Sequence, residues 1–276
     1  MEMEIQHVSD TALMVAAARA LESARDGAII CDPYAHLLAG ERGMSLATAR
    51  GQEWMRIGIS IRTHFIDEML HAAIAERGIE TVVNLGAGLD TRPWRMDLPS
   101  TLRWIEVDFQ PILEYKRNAL AGERPKCSRE TVYADLANPA DRDRVYAVVG
   151  GGPALMVTEG LLMYLPADTV DALAREAPLR TGIREWLFDI ASADLMRAAH
   201  NQGLDQIEKV RAKDHLTGSE ITDAARRAGW RLVRHMSYAR DSGPLVQRIL
   251  GRLPQVSPEM ANPPSDDPSG VYLFAR

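Results

Sequence analysis

Asn84-Leu85-Gly86-Ala87-Gly88-Leu89-Asp90-Thr91 closes the apolar run that begins at Thr81-Val82-Val83, and the reading of this passage decides the fold. A run of β-branched residues ending in leucine and stopped by glycine has the length and composition of a buried strand. Two glycines separated by one residue let the chain turn sharply, and with no Cβ in the way the backbone can approach a ligand closely. The turn is expected to open a helix. A dinucleotide fingerprint would carry a third glycine at position 91 for close helix packing, and this chain has Thr91. That counts against a nicotinamide cofactor. Taken alone, the Gly-x-Gly is weak evidence, because a plain strand-to-helix turn can also carry it.

Outward from this passage the chain alternates. Further strand signals lie at 102–107, 130–134, 154–158, 186–190, 231–236 and 271–275, and helical stretches at 112–120, 167–176 and 219–228 separate most of them. Such alternation predicts right-handed βαβ crossovers and an α/β fold, a doubly wound and mostly parallel sheet covered on both faces. Before residue 79 the pattern is helical. Residues 12–22 are rich in strong helix formers, Cys31-Asp32-Pro33-Tyr34 is a break, and 57–74 has the spacing of an amphipathic helix. The chain therefore divides into an N-terminal helical cap, 1–78, and an α/β core, 79–276. The stretch 251–270 holds five prolines and reads as a loop between the last two strands.

Composition narrows the function classes. Of 276 residues 46% are hydrophobic and 25% charged, as in ordinary globular proteins, and the formal net charge is −6 with Lys and Arg scattered. No basic stripe of the kind nucleic acids demand is present, so no nucleic-acid partner is expected. Two cysteines, Cys31 and Cys127, lack metal-ligand spacing, which predicts no metal site and fits a reducing cytoplasm. The most apolar early stretch, 12–21, is interrupted by Arg19 and is too short for a bilayer, so no export signal or membrane anchor is read.

The second strand ends in Ile105-Glu106-Val107-Asp108. A carboxylate there can accept hydrogen bonds from both ribose hydroxyls of a nucleotide. Asp108 lies 22 residues past Gly86, near the expected offset, but Glu106 shares its strand face and competes for the role. Asp108 is favoured because it stands nearer the carboxyl edge, where open α/β sheets bind ligands. Ala134-Asp135-Leu136 and Thr158-Glu159-Gly160 add carboxylates after the third and fourth strands. Three acids after successive strands, beside a Gly-x-Gly turn, form a coherent pocket for a cationic nucleoside amino acid.

These stretches resemble the leucine carboxyl methyltransferase family, in particular its bacterial branch. The resemblance is carried by Asp10-Thr11-Ala12, Arg19-Ala20-Leu21-Glu22-Ser23, Asp32-Pro33-Tyr34-Ala35, Arg62-Thr63-His64-Phe65-Ile66-Asp67, the glycine passage through Arg92, Glu106-Val107-Asp108, Asp135-Leu136 and Glu159-Gly160-Leu161-Leu162-Met163-Tyr164-Leu165. It thins after about residue 187. The resemblance implies a Rossmann-like methyltransferase fold whose seventh strand runs antiparallel, S-adenosylmethionine as cofactor, and transfer to an oxygen of a small molecule, with a carboxylate as acceptor. It also implies residue roles. Arg62 matches the arginine that pairs with the cofactor carboxylate, Gly86 and Gly88 the backbone approach, Asp108 the ribose partner, Asp135 and Leu136 the adenine side, and Glu159 the acid near the methionine end. Arg19 matches, loosely, a basic residue closing over the cofactor.

A carboxylate acceptor is ionised at neutral pH and needs no general base, whereas a phenol or alcohol needs one. His200 and Tyr164 are the candidate acceptor contacts. Transfer to a phenol or alcohol, and cofactor binding without catalysis, remain alternatives at this level, and residue patterns say nothing of oligomeric state.

Overall fold

The structure, a computed structural model, describes residues 8–191, 214–251 and 267–276. Three helices come first: α1 (Val8–Ser23), α2 (Ala35–Thr48) and α3 (Glu53–Glu76). Then follow β1 (Thr81–Leu85), the one-turn α4 (Arg92–Arg95), β2 (Arg103–Asp108), α5 (Gln110–Ala119), β3 (Ser128–Tyr133), α6 (Pro139–Val149), β4 (Ala154–Thr158), a 3₁₀ turn (Leu162–Tyr164), α7 (Ala167–Arg180) and β5 (Ile183–Ile190). The remaining described elements are α8 (Ser219–Arg227), β6 (Arg231–Ser237), α9 (Tyr238–Asp241), α10 (Gly243–Leu250) and β7 (Gly270–Ala275).

The strands form one seven-stranded sheet of order β3-β2-β1-β4-β5-β7-β6. The first five are parallel, and β7 runs antiparallel between β5 and β6. The order reverses between β1 and β4, so the carboxyl ends of these two strands flank the crevice where such sheets bind ligands. Alternation along each strand divides the core. Val83, Leu85, Ile105, Val107 and Met156 face α6, α7 and α8. Val82, Trp104, Leu155 and Val157 face the apolar side of α3, with Phe65, Met69 and Leu70 beneath. A third cluster joins Met14 and Leu38 of α1 and α2 to Ala87 and Leu89 of the glycine turn, and to Trp94, Ile112 and Leu113. Among the described residues no helix is long and apolar enough to cross a membrane.

All seven strands lie where the pattern predicts them. β3 and β5 begin earlier, at Ser128 and Ile183, because the polar pairs Ser128-Arg129 and Arg184-Glu185 interrupt the apolar signal. The glycine turn leads into the single turn of α4 rather than a long helix. α6, α9 and α10 stand where no helix was expected, and α2 lies within the N-terminal stretch expected to be helical, although no helix was singled out there.

Candidate functional site

Gly86 sits at the carboxyl end of β1 with φ +68°, a conformation that L side chains rarely adopt, and a Cβ there would come within 2.8 Å of Leu161. Its amide and that of Ala87 donate to Val107 O at 2.8 and 3.0 Å, which binds the turn to β2. The carboxyl ends of β1, β4 and β5, together with α3, assemble a lattice of arginines and acids around this turn. Arg62 Nε, from α3, donates to Glu159 Oε1 at 3.1 Å, and Arg62 Nη1 lies 3.6 Å from Asp189 Oδ2 at the end of β5. Arg92 donates to the other Glu159 oxygen at 2.7 Å and to Asp67 at 2.6 Å. Arg95 closes on Asp67 through two bonds, of 2.6 and 2.8 Å. Gly160, at φ +59°, has a conformation that L side chains rarely adopt, and a Cβ there would come within 3.1 Å of Arg62 Nη1. Its amide donates to Asp189 Oδ1 at 2.6 Å.

The lattice fixes charge states. Burial works against ionisation of Glu159, but the Arg92 and Arg62 guanidiniums outweigh it and hold the carboxyl at about 2. Burial likewise opposes the charge on Asp67, and Arg92 and Arg95 bring it below the usual carboxylate range. Asp189 differs: burial dominates and pushes its carboxyl up despite Arg62 and the Gly160 amide. At neutral pH Arg62 and Glu159 are therefore a fixed cation and a fixed anion, side by side at the crevice.

On the β2 side, the two carboxylates that competed at the sequence level are placed very differently. Glu106 is fully buried, bonded to Lys116 Nζ at 2.7 Å and Arg129 Nε at 2.7 Å, and Lys116 is itself fully buried. Asp108 stands at the strand end, partly exposed, with Oδ2 accepting from Gly88 N and Oδ1 from Phe109 N, both at 2.7 Å. Each oxygen keeps a lone pair for a further donor. Burial raises the Asp108 carboxyl above its ordinary range, against the two amides and the Lys116 charge. Asp135 is exposed and accepts from Ala137 N at 2.9 Å. Leu136 is buried beside it, and its carbonyl takes Arg142 Nη1 at 2.9 Å.

The N-terminal helices reach the same turn. Asp32, with its side chain fully buried, accepts from Arg19 Nε at 2.8 Å and from the Thr91 hydroxyl at 2.6 Å. Arg19 Nη2 also donates to Leu89 O at 2.7 Å. Thr91, which the sequence reading weighed only as a missing glycine, thus anchors the turn to Asp32.

Arg62, Gly86, Gly88, Asp108 and Glu159 come together at one edge, with Asp135 and Leu136 beyond β2 on the same side. Tyr164 lies in the 3₁₀ turn after β4 and interacts electrostatically with Arg62. His200 lies outside the described residues. The sequence reading assigned no role to Asp67, Arg92, Arg95 or Asp189. Asp67 and Arg92 end two of the stretches that carry the resemblance, which was the one available signal.

The family model for leucine carboxyl methyltransferases matches residues 12–177. A protein of Frankia alni, described as a candidate S-adenosyl-L-methionine-dependent methyltransferase, is 41% identical over 178 residues, 59% of this chain and 61% of that protein. The chain thus spans about three fifths of the length of the curated relatives it matches. Among solved structures, a candidate methyltransferase from Thermobifida fusca is similar at a TM-score of 0.59 and 17% identity, covering 96% of this chain and 93% of the other. A DUF574 family protein from Streptomyces avermitilis is similar at 0.58 and 13%, covering 95% and 96%. At these identities the likeness is one of fold. The family match runs from the first helix through the glycine turn into α7 and contains both Arg62 and Glu159; on it, the chain belongs to the leucine carboxyl methyltransferase family.

Proposed function

We propose that this protein transfers a methyl group from S-adenosylmethionine to an oxygen of a small-molecule acceptor, with a carboxylate as the acceptor class. The observation that carries the reading is the Arg62–Glu159 pair beside Gly86, 3.1 Å apart. A fixed cation and anion side by side complement the carboxylate and ammonium of an amino acid, and a guanidinium fork suits a carboxylate better than lysine would. Asp108 suits the two hydroxyls of a ribose, and the Asp135-Leu136 pair a polar edge and an apolar face of adenine. Arg62, Glu159 and Asp108 would hold S-adenosylmethionine, which would supply an electrophilic methyl carbon: the acceptor oxygen would bond to it as the C–S bond breaks and the neutral thioether leaves. The chain's own task is to hold the reactants collinear and keep water out. A carboxylate acceptor needs no base. A second reading, transfer to a phenol or alcohol, has Asp189 in its favour, a carboxyl with a raised pKa at the same edge.

Calorimetric titration is expected to show binding of S-adenosylmethionine and S-adenosylhomocysteine, unchanged by a chelator, and no binding of NAD. A strict need for a divalent ion, or NAD binding instead, would overturn the reading. Turnover of small carboxylic acids but not phenols supports the carboxylate class, and the reverse supports Asp189 as base. Cofactor binding with no turnover on a metabolite extract would reduce the protein to a binding module.

We further propose that residues 1–78 are a cap over cofactor and acceptor, above the 79–276 core. The contacts of Arg19 and Asp32 with Leu89 and Thr91 support this, because they tie the cap to the turn that would hold the ligand. S-adenosylhomocysteine is expected to protect sites within 1–78 from limited proteolysis more than sites within 251–270. Equal cleavage with and without it would make the region a static structural element.

A further inference from the structure

Tyr238 opens α9 directly after β6, and its amide donates to Ser269 O at 3.1 Å beside the start of β7. Because β6 runs parallel to β5, this places the residue at the carboxyl edge of the sheet, across β7 from Asp189. Its ring stacks on Phe65 of α3, with centroids 6.1 Å apart and planes 15° from parallel. Phe65 lies one helical turn after Arg62, on the same face of α3. The ring is thus held against α3, beside the face that carries Arg62.

The Tyr238 hydroxyl is buried and has no hydrogen-bond partner among the described residues. A buried polar group without a partner is costly and calls for an explanation. The charges it interacts with are those of the site: Asp189, Arg62 and Glu159. Burial first, and then the negative charge of Asp189, keep the phenol protonated, so at neutral pH it is a donor. What suits it is an acceptor group located at Arg62. The surrounding carboxylates disfavour an anion at this edge unless it lies on the guanidinium, and an amino-acid carboxylate is such a group.

We propose that Tyr238 is a further ligand contact, its hydroxyl donating to the cofactor carboxylate that Arg62 receives. This rests on the reading of the site as one for S-adenosylmethionine. It places a residue from beyond the family match, which ends at residue 177, in the cofactor pocket. The resemblance that located Arg62 and Glu159 has no bearing on it.

The test is Tyr238→Phe, which keeps the ring on Phe65 and removes only the hydroxyl. Two probes are titrated into both proteins: S-adenosylhomocysteine, and 5′-methylthioadenosine, a nucleoside thioether without the amino-acid end. S-adenosylhomocysteine is expected to bind the variant about tenfold more weakly, as for loss of one hydrogen bond to a charged acceptor. Affinity for 5′-methylthioadenosine should be unchanged, which also shows that the variant is folded. Equal loss for both probes would make Tyr238 a purely structural residue and overturn the proposal. No loss for either, or a raised acceptor KM with cofactor affinity intact, would overturn it as well. Failure of the wild-type protein to bind S-adenosylhomocysteine would overturn this inference and the proposed function together, whereas wild-type binding with an unaffected variant overturns the inference alone.

Discussion

Glu106→Ala is expected to lower the unfolding free energy by about 3–5 kcal/mol, the range for removing one partner of a buried ion pair. Glu106 is the one carboxylate between Lys116 Nζ and Arg129 Nε, each at 2.7 Å. Without it, a fully buried ammonium and a mostly buried guanidinium are left across a small cavity without the carboxylate that bonds both. Lys116 keeps its bond to Asp90 O at 3.1 Å, which satisfies a proton but not the charge. Since Asp90 belongs to the glycine passage, part of the loss falls on the site itself. Urea unfolding should show a lower midpoint with little change in slope. A variant as stable as the wild type would mean that Lys116 deprotonates or reaches solvent at small cost. This stability role is a reason to set Glu106 aside as a ribose ligand: the side chain is fully buried and each oxygen is bonded to a cation of the core.

Asp108→Ala should do the opposite. S-adenosylhomocysteine affinity is expected to fall by about 2–4 kcal/mol, roughly 30-fold to 1000-fold, as two hydrogen bonds to a charged acceptor are lost. Stability should change far less. Because burial raises the Asp108 carboxyl in the folded protein, its contribution to stability is largest below its ordinary pKa. That contribution is lost as pH rises through the raised value. At neutral pH its charge therefore works against folding, and its removal offsets the loss of the Gly88 and Phe109 amide bonds. Calorimetric titration beside a thermal melt separates the two effects. Full affinity in Asp108→Ala, with weak binding in Glu106→Ala, would return the ribose role to Glu106.

The sheet was legible because its signal is local. Thr81–Leu85 and Ala154–Thr158 are mostly apolar runs buried on both faces, the first stopped by Gly86 and the second opened after Pro153, so those ends could be read directly. β5 starts three residues before its apolar signal because Arg184 and Glu185 are polar, and Glu185 is buried there only because Arg77, at the end of α3, pairs with it. α6 was missed because Asp-Arg-Asp-Arg shows no apolar period; its start is set by the Asn138 cap on Ala140 N and by Pro139 in the first turn. α2 is interrupted at Gly40, which breaks the period.

The site divides along the same line. Gly86 and Asp108 follow strands and announce themselves by position. Arg62 and Glu159 are 97 residues apart in sequence, and Arg62 and Asp189 are farther still. Nothing local marks either pairing, and only the resemblance brought Arg62 to attention. Asp189 and Tyr238 lie past the stretch where the resemblance holds, so their approach to Arg62 depends on tertiary structure alone.

The position of β7 has a consequence for how the chain can be cut. Although β7 follows the other described strands in sequence, it is not an edge of the sheet: it lies between β5 and β6, and among the described residues β6 pairs with nothing else. A fragment ending before Gly270 would lose more than six residues. It would set β6 adrift and turn β5 into a bare edge carrying Trp186 and Phe188, both fully buried in the intact sheet. An exposed edge of that composition invites strand pairing between molecules, so truncation at this end would yield aggregates rather than a smaller soluble core. The family match ends within α7, yet a minimal domain cannot be trimmed to it.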